Sequence, residues 1–412
     1  MTYTLNPFER LPDVAYAPIG SGFAVTLGKM LDAGRELDPS ARVLPYVRAG
    51  NIQDVGLDLA DVNTMPFSDA EAAALDLRRN DILVVEGGAV GTCVVLEEDL
   101  PGWSFQKTVN RLRPTGEWSS RFVAYVLRAY RDAGVIDIVC NKSTIPHLTA
   151  EKLRALRVPA LEPRIQESIA DYLDHETAQI DELISAQQRL IDLLVERRLA
   201  VAAGVLGGRV GTGDRLKWLI AENDVRGGDL AAVLPLLSVS ISWGVRRRDE
   251  VSEGETRAED LSNYKLCSKG DLVINRMRAF QGALGLAPED GVVSPDYAVL
   301  KISPNIDAGW LIAAMKTSAF VAQMAQRVKG IGSAELGNAR TPRINISDLG
   351  EIRLEVPNRA EQASERDEVE SQIERIDALV VEAERFIELA SERRAALITA
   401  AVTGQVDVRK VA

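Results

Sequence analysis

One stretch of this chain is written twice, and that repeat restricts the fold more than any single motif does. Val158-Pro159 opens a polar helical segment carrying Ile180-Asp181-Glu182-Leu183, then Glu196-Arg197-Arg198, then Gly208-Arg209-Val210. Val356-Pro357 opens another, with Ile376-Asp377-Ala378-Leu379, Glu392-Arg393-Arg394 and Gly404-Gln405-Val406. From Ile180/Ile376 to Val210/Val406 the offset stays at 196 residues. A unit of about 200 residues is too long for a solenoid repeat and suits a domain plus a connecting element. With 412 residues the chain is long enough for two cores, so each half is expected to fold largely on its own.

Charge is distributed unevenly along the repeat. The chain carries a net −12, of which residues 160–204 hold −5 and residues 355–395 hold −6. The acidity therefore belongs to the repeated helical segments, and the domains between them are nearly neutral. That removes the objection which net charge alone would raise against a nucleic-acid partner, whose phosphates need Lys and Arg. Three scattered cysteines, Cys93, Cys140 and Cys267, and two histidines, His147 and His175, suggest neither a disulfide framework nor a zinc site. No run approaches the ~18–20 apolar residues of a membrane span, and MTYTLNPFER has no signal-peptide pattern. The expectation is a cytoplasmic protein with no membrane partner.

Both repeated segments read as long helices. Leu173, Ile180, Leu183, Leu190, Leu194 and Val201 are spaced as an a/d seam, and a shift of 196 gives Val369, Ile376, Leu379, Phe386, Ala390 and Leu397. Gln187 and Ala383 share the intervening position. Pro163 suits the start of the first helix, and Gly204, Gly207 and Gly208 suit its end. Each helix is expected to span some 35 to 40 residues, about 55 Å at 1.5 Å per residue. A core-facing amphipathic helix is the competing reading of a single stripe; two matching copies favour an antiparallel pair.

Between the helices lie strand-like runs. Ala41 to Arg48 leads to Gly50-Asn51-Ile52-Gln53, and Asn80-Asp81-Ile82-Leu83-Val84-Val85 leads to Gly87-Gly88. Gly270-Asp271-Leu272-Val273-Ile274-Asn275 stands at the matching place in the second half, where Tyr297 to Ile302 alternates in the same way. Amphipathic helices follow at 121–132 and 310–327. Each half is thus a mixed α+β domain. After the shared Asp81/Asp271 landmark the copies diverge, one reading Glu86-Gly87-Gly88-Ala89-Val90-Gly91 and the other Asn275-Arg276-Met277-Arg278-Ala279-Phe280-Gln281-Gly282.

These features resemble the specificity (S) subunit of type I restriction–modification enzymes. The residues that carry the resemblance are Tyr46 to Ile52, the Asn/Gly-Asp-Ile/Leu-Leu/Val-Val run, the Val-Pro helix entries, the Ile-Asp-x-Leu and Glu-Arg-Arg pairs, and the ending Thr403 to Val408. No motif is specific alone; their order and duplication are. The resemblance spans essentially the whole chain. It implies an α+β fold with two α/β target-recognition domains in tandem, separated by two long helices packed as an antiparallel coiled coil with pseudo-twofold symmetry. On it, target-recognition domain 1 is 1–159, spacer helix 1 is 160–208, target-recognition domain 2 is 209–357, and spacer helix 2 with the C-terminal tail is 358–412.

The function so implied is non-catalytic. Such a subunit recognises a bipartite target in double-stranded DNA and docks two adenine methyltransferase subunits, with a restriction/translocase subunit completing the complex. S-adenosylmethionine, ATP and Mg would sit on those partner subunits, and this chain itself would bind no cofactor. The residues agree with that division. Ser294-Pro295-Asp296-Tyr297 lacks the second proline of an adenine methyltransferase motif, and no Gly-x-x-x-x-Gly-Lys-Ser/Thr loop occurs. The helices would act as a spacer, so a changed helix length should alter the gap in the target and leave its two half-sequences alone.

DNA reading needs Arg or Lys for phosphates and guanine edges, and Asn or Gln for adenine. In the first half Arg48, Asn51, Gln53, Gln106, Lys107, Asn110, Arg111, Arg113, Asn141 and Lys142 supply that chemistry. In the second, Arg246, Arg247, Arg248, Arg276, Arg278, Gln281, Lys329, Asn338, Arg340 and Arg343 do so. For each alone, a solvated surface residue is the competing reading. Glu196, Arg197 and Arg198 with Glu392, Arg393 and Arg394 are either partner-docking residues or ion pairs between the helices. His147 is read as a turn residue. The alternative function is a duplicated protein-binding scaffold with a coiled-coil spacer.

Overall fold

The computed structural model describes residues 14–30, 41–140, 146–241, 243–251, 261–328 and 342–406. Its contacts divide the chain into two units, Met1–Gln187 with Arg385–Ala412, and Gln188–Glu384. Both long helices are present, Pro163–Leu206 and Arg359–Val402, each of 44 residues and so longer than the spacing predicted. The first continues through Gly204 and stops at Gly207. Each helix contributes one half to each unit.

The units repeat one topology. In the first, a four-stranded antiparallel sheet runs in the order Phe23–Leu27, Val109–Pro114, Ile82–Val85, Cys93–Val95. In the second, the order is Ile220–Glu222, Tyr297–Ile302, Leu272–Asn275, Leu284–Leu286, again antiparallel. Side chains alternate across a strand, and here both faces are covered. Ile82 and Val84 enter one core with Phe122 and Val126 of the helix Ser120–Asp132, while Leu83 and Val85 enter another with Phe67 and Phe105. Leu272 and Ile274 likewise part from Val273. This double burial explains why these runs are continuously apolar in sequence. A short antiparallel pair closes each unit before its long helix, Tyr16–Pro18 with Arg157–Pro159 and Val210–Arg215 with Arg353–Leu354.

The Asp81/Asp271 landmark is a turn device. Asn80 has φ 66° and Gly270 has φ 88°, the left-handed conformation that Asn and Gly tolerate best. The following aspartate folds back, so that Asp81 accepts the Arg78 N–H at 2.8 Å and Asp271 the Ser268 N–H at 2.9 Å.

A second repeated device was not read from the sequence. Gln166 and Gln362, 196 residues apart, are buried at the start of the two long helices. Gln166 Oε1 accepts the N–H of Ser119, the N-cap of the helix Ser120–Asp132, at 2.9 Å, and its Nε2 donates to the Leu161 carbonyl at 2.8 Å. Gln362 does the same for Asp307, the N-cap of the helix Ala308–Met315, at 2.7 Å, and donates to the Pro357 carbonyl at 2.9 Å. One side chain thus ties the long helix to a domain helix in each unit.

The buried stripe of the long helices differs from the predicted seam. The ladder Ile180, Gln187, Leu194, Val201 is on it, buried or half-buried, but the companion ladder is Thr177, Ile184 and Ile191, and not Leu183 and Leu190. Leu183 and Leu190 are 51 % and 41 % exposed, and their counterparts Leu379 and Phe386 are 49 % and 40 % exposed. A seven-residue ladder can serve as either the a or the d row of a heptad, so the second row can lie three residues before it or three after. The leucines suggested the wrong side. Within the first unit the helices run antiparallel, since Asp181 pairs with Arg394 while Ile169 and Leu173 share a core with Ile398 and Val402. The second unit repeats this, with Arg198 on Asp377 and Val201 sharing a core with Val369 and Ile376.

Candidate nucleic-acid interface

In the first unit the C-terminal end of Ile82–Val85 and the N-terminal end of Val109–Pro114 form a polar edge. The Glu86 N–H donates to the Thr108 carbonyl at 2.9 Å, and the Leu148 N–H donates to the Glu86 carbonyl at 2.9 Å. The Ala49 N–H donates to Thr108 Oγ1 at 3.2 Å. These bonds draw Arg48, Glu86, Lys107 and His147 to one strand end. The His147 ring packs closely over Gly87, where a Cβ would lie 3.0 Å from its Nδ1 and the ring would have to shift. Burial pushes the Glu86 carboxyl above its ordinary range, with His147 and Lys107 pulling it back.

The remaining first-half candidates part from this edge. Arg111 is buried beside the Phe105 ring and donates to the Asp76 carbonyl, while Arg113 is held by Asp76 and Asp81, so both leave the set of free cations. Asn51 is also buried, accepting the Arg48 N–H at 3.0 Å and donating to the carbonyls of Asp58 and Asp61 at 2.8 and 3.0 Å. It shapes a loop, both its amide N–H groups are engaged, and its burial withdraws it from a base edge. Gln53 is exposed on the small hairpin Ile52–Gln53/Gly56–Leu57, and Arg48 pairs with Asp61.

The second unit carries different residues at the same edge. The Ile344 N–H donates to the Arg276 carbonyl at 3.0 Å, the counterpart of Leu148 on Glu86. This brings Arg276, Arg278 and Arg343 together. Arg276 turns its guanidinium back onto the Ile344 carbonyl and Asn345 Oδ1. Arg278 and Arg343 are exposed, the latter 3.8 Å from Asp296. Arg246 and Arg247 belong to a separate hairpin, where Arg247 pairs with Glu289 and Arg246 is exposed, and Arg248 opens the short helix Arg248–Val251 after it. Lys142, Lys329 and Arg340, with Asn141 and Asn338, lie outside the described residues.

On the long helices Glu196, Arg197, Glu392 and Arg393 are exposed. Arg198 and Arg394 face the other helix segment of their unit: Arg198 Nε is 2.7 Å from Asp377, and Arg394 Nε is 2.9 Å from Asp181 though not aligned as a hydrogen bond. Sequence reasoning missed a more exposed feature. In the first unit Leu183, Phe386 and Leu389, and in the second their counterparts Leu379, Leu190 and Leu193, are helix residues between 40 % and 62 % exposed.

Acid should loosen the first unit through two aspartates. Burial pushes Asp54 and Asp76 up, but the hydrogen bonds and charge of Arg131 on Asp54, and of Arg113 and Arg78 on Asp76, outweigh it and hold both below the ordinary 3.8. A carboxyl whose folded value is depressed stabilises above its unfolded value and loses that contribution as pH falls through the folded one. Urea midpoints of the first unit should therefore hold down to about pH 4 and drop below it. In Asp54→Asn/Asp76→Asn the acid-side drop should shrink.

Among the described residues no group of three or more His, Cys, Asp or Glu is placed to hold a metal, and no helix is long and apolar enough to cross a membrane. Cys93, Cys140 and Cys267 are buried and unpaired as disulfides.

No family model matches the chain, and no curated protein does. Solved structures do. A chain from a structure of the type I R-M system, solved for its complex assembly and conformational transition, superposes with a TM-score of 0.68 at 13 % identity, covering 96 % of this chain and 99 % of that one. The HsdS subunit from Thermoanaerobacter tengcongensis superposes with a TM-score of 0.55 at 14 % identity, covering 96 % and 98 %. The fold is thus a duplicated α+β architecture in which two domains share two long paired helices. It is the fold of type I restriction–modification S subunits.

Proposed function

We propose that this chain is the DNA sequence-specificity subunit of a type I restriction–modification complex, reading a bipartite double-stranded target and docking two adenine methyltransferase subunits. The observation that carries the reading is one scaffold built twice with different polar residues at one strand end, Arg48, Glu86, Lys107 and His147 against Arg276, Arg278 and Arg343. A duplicated frame with divergent edges suits two different half-sites. On this reading 1–159 and 209–357 are the target-recognition domains, and 160–208 and 358–412 hold the spacer helices and tail. The chain carries neither methylation nor cleavage chemistry. S-adenosylmethionine, ATP and Mg serve the methyltransferase and the restriction/translocase subunits.

The exposed apolar side chains on the helix segments of each unit supply the docking faces. Patches of this kind mark protein contacts, and the two copies would take two copies of one partner, with Arg197 and Arg393 alongside. Leu190→Asp should cost one methyltransferase copy and Leu190→Asp/Phe386→Asp both, read as subunit stoichiometry by native mass spectrometry. Unfolding midpoints should stay put, because these side chains are exposed in the free chain.

The deciding experiment is co-expression with the adenine methyltransferase subunit and sequencing of methylated adenines. A bipartite motif with a fixed gap, lost when this chain is deleted, is the expected result. An assembled, active system whose methylation ignores this chain would leave the protein-binding scaffold. Salt dependence separates the two as well, being steep for a DNA reader that neutralises several phosphates.

A further inference from the structure

We infer that Glu86 is a base-reading residue of the first unit, taking a hydrogen bond in the major groove from the exocyclic amino group of a cytosine or adenine in the half-site which that unit recognises. This deepens the DNA-specificity reading and rests on it.

Three observations lead there. Glu86 stands at the polar strand end beside Lys107 and His147, yet its carboxylate makes no hydrogen bond among the described residues. A half-buried carboxylate without a partner is costly, and such a group calls for an explanation. Its backbone is fixed at this edge, because its N–H is held by Thr108 and its carbonyl by Leu148, at 2.9 Å each, while the ring of His147 packs over the following Gly87.

The chemistry then narrows the ligand. An ionised carboxylate accepts hydrogen bonds and donates none. Phosphates offer it only repulsion, whereas cytosine N4 and adenine N6 are the amino donors of the major groove. The exposed Lys107 and His147 beside it can meet the backbone and offset the repulsion that a lone acid would face. In the second unit the equivalent residue is Arg276, whose guanidinium is engaged with Ile344 and Asn345. The asymmetry confines the effect to one half-site.

The test maps adenine methylation by sequencing in cells carrying the methyltransferase subunit with the wild-type chain, Glu86→Ala or Glu86→Gln. With Glu86→Ala, one position of one half-site should lose discrimination by on the order of ten- to a hundredfold, the scale of one good base contact. The other half-site and the gap should not change, which a folding defect would not produce. Glu86→Gln separates the two sources of the amino group. Glutamine pairs with adenine N6 and N7 and keeps an adenine position, but relaxes a cytosine one. An unchanged motif in an active Glu86→Ala complex overturns the inference while leaving the specificity-subunit reading intact, as does an equal loss at both half-sites. A wild-type chain that directs no bipartite methylation overturns that reading and this one together.

Discussion

Replacing Gln166 by leucine should destabilise the first unit by about 2 to 4 kcal/mol, since it strips partners from one buried backbone group, at about 1 to 3 kcal/mol, and from one part-buried group at the low end of that range. The groups are the Ser119 N–H at a helix N-cap and the Leu161 carbonyl just before the long helix. Leucine fills nearly the same volume, so the loss reports the hydrogen bonds and not a cavity. Gln362→Leu should do the same to the second unit through Asp307 and Pro357. Hydrogen exchange resolved by segment distinguishes the units. Protection should fall around 119–132 in one variant and around 307–315 in the other. A cost under about 1 kcal/mol, the net worth of one ordinary hydrogen bond, would show that water replaces the glutamine and that the latch is not structural.

Asp81→Ala and Asp271→Ala occupy the same turn and should differ in cost. Asp81 is fully buried and holds Arg113 through two hydrogen bonds of 2.8 and 2.6 Å besides capping the turn. Removing one member of a buried ion pair leaves the other charge uncompensated, at about 3 to 5 kcal/mol. Arg113 keeps Asp76 at 2.8 Å, which places the expected loss near about 3 kcal/mol, the low end of that range. Asp271 has no cationic partner among the described residues and serves the Ser268 N–H, so its loss should cost about 1 to 2 kcal/mol. Urea denaturation of the two variants, with the unfolding unit identified by exchange, checks the ordering. Equal costs would mean that Arg113 finds water as good a partner as Asp81.

Much of the architecture was legible because the duplication repeats physical signals and not only letters. Val158-Pro159 and Val356-Pro357 close each domain before a long helix, and the runs Ile82 to Val85 and Leu272 to Ile274 are apolar on both faces because both faces are covered. The glutamine latch also left a trace, for Gln166 and Gln362 coincide under the 196-residue shift, though nothing about a lone glutamine in an acidic helix announces burial. The seam was half legible. The ladder through Ile180 and Val201 stood out, but its companion row opens on Thr177, a residue type that a search for leucines passes over.

The candidate interface was less legible, and the reason is distance along the chain. Arg111 and Arg113 look like DNA-binding cations until Asp76 and Asp81, more than thirty residues earlier, are found beside them. Glu86 looked like part of a glycine-rich turn until Lys107 and His147 were found around it.

The sequence by itself determined that the protein is a duplicated pair of α+β domains joined by long acidic helices, since periodicity, helix-entry residues and charge are local properties. Only the tertiary structure decided which cations remain free, which row of the helices is buried and which acid stands without a partner. A charge is neutralised, and a side chain desolvated, by what lies within a few ångströms of it, and here those neighbours come from other strands and from the opposite end of the chain.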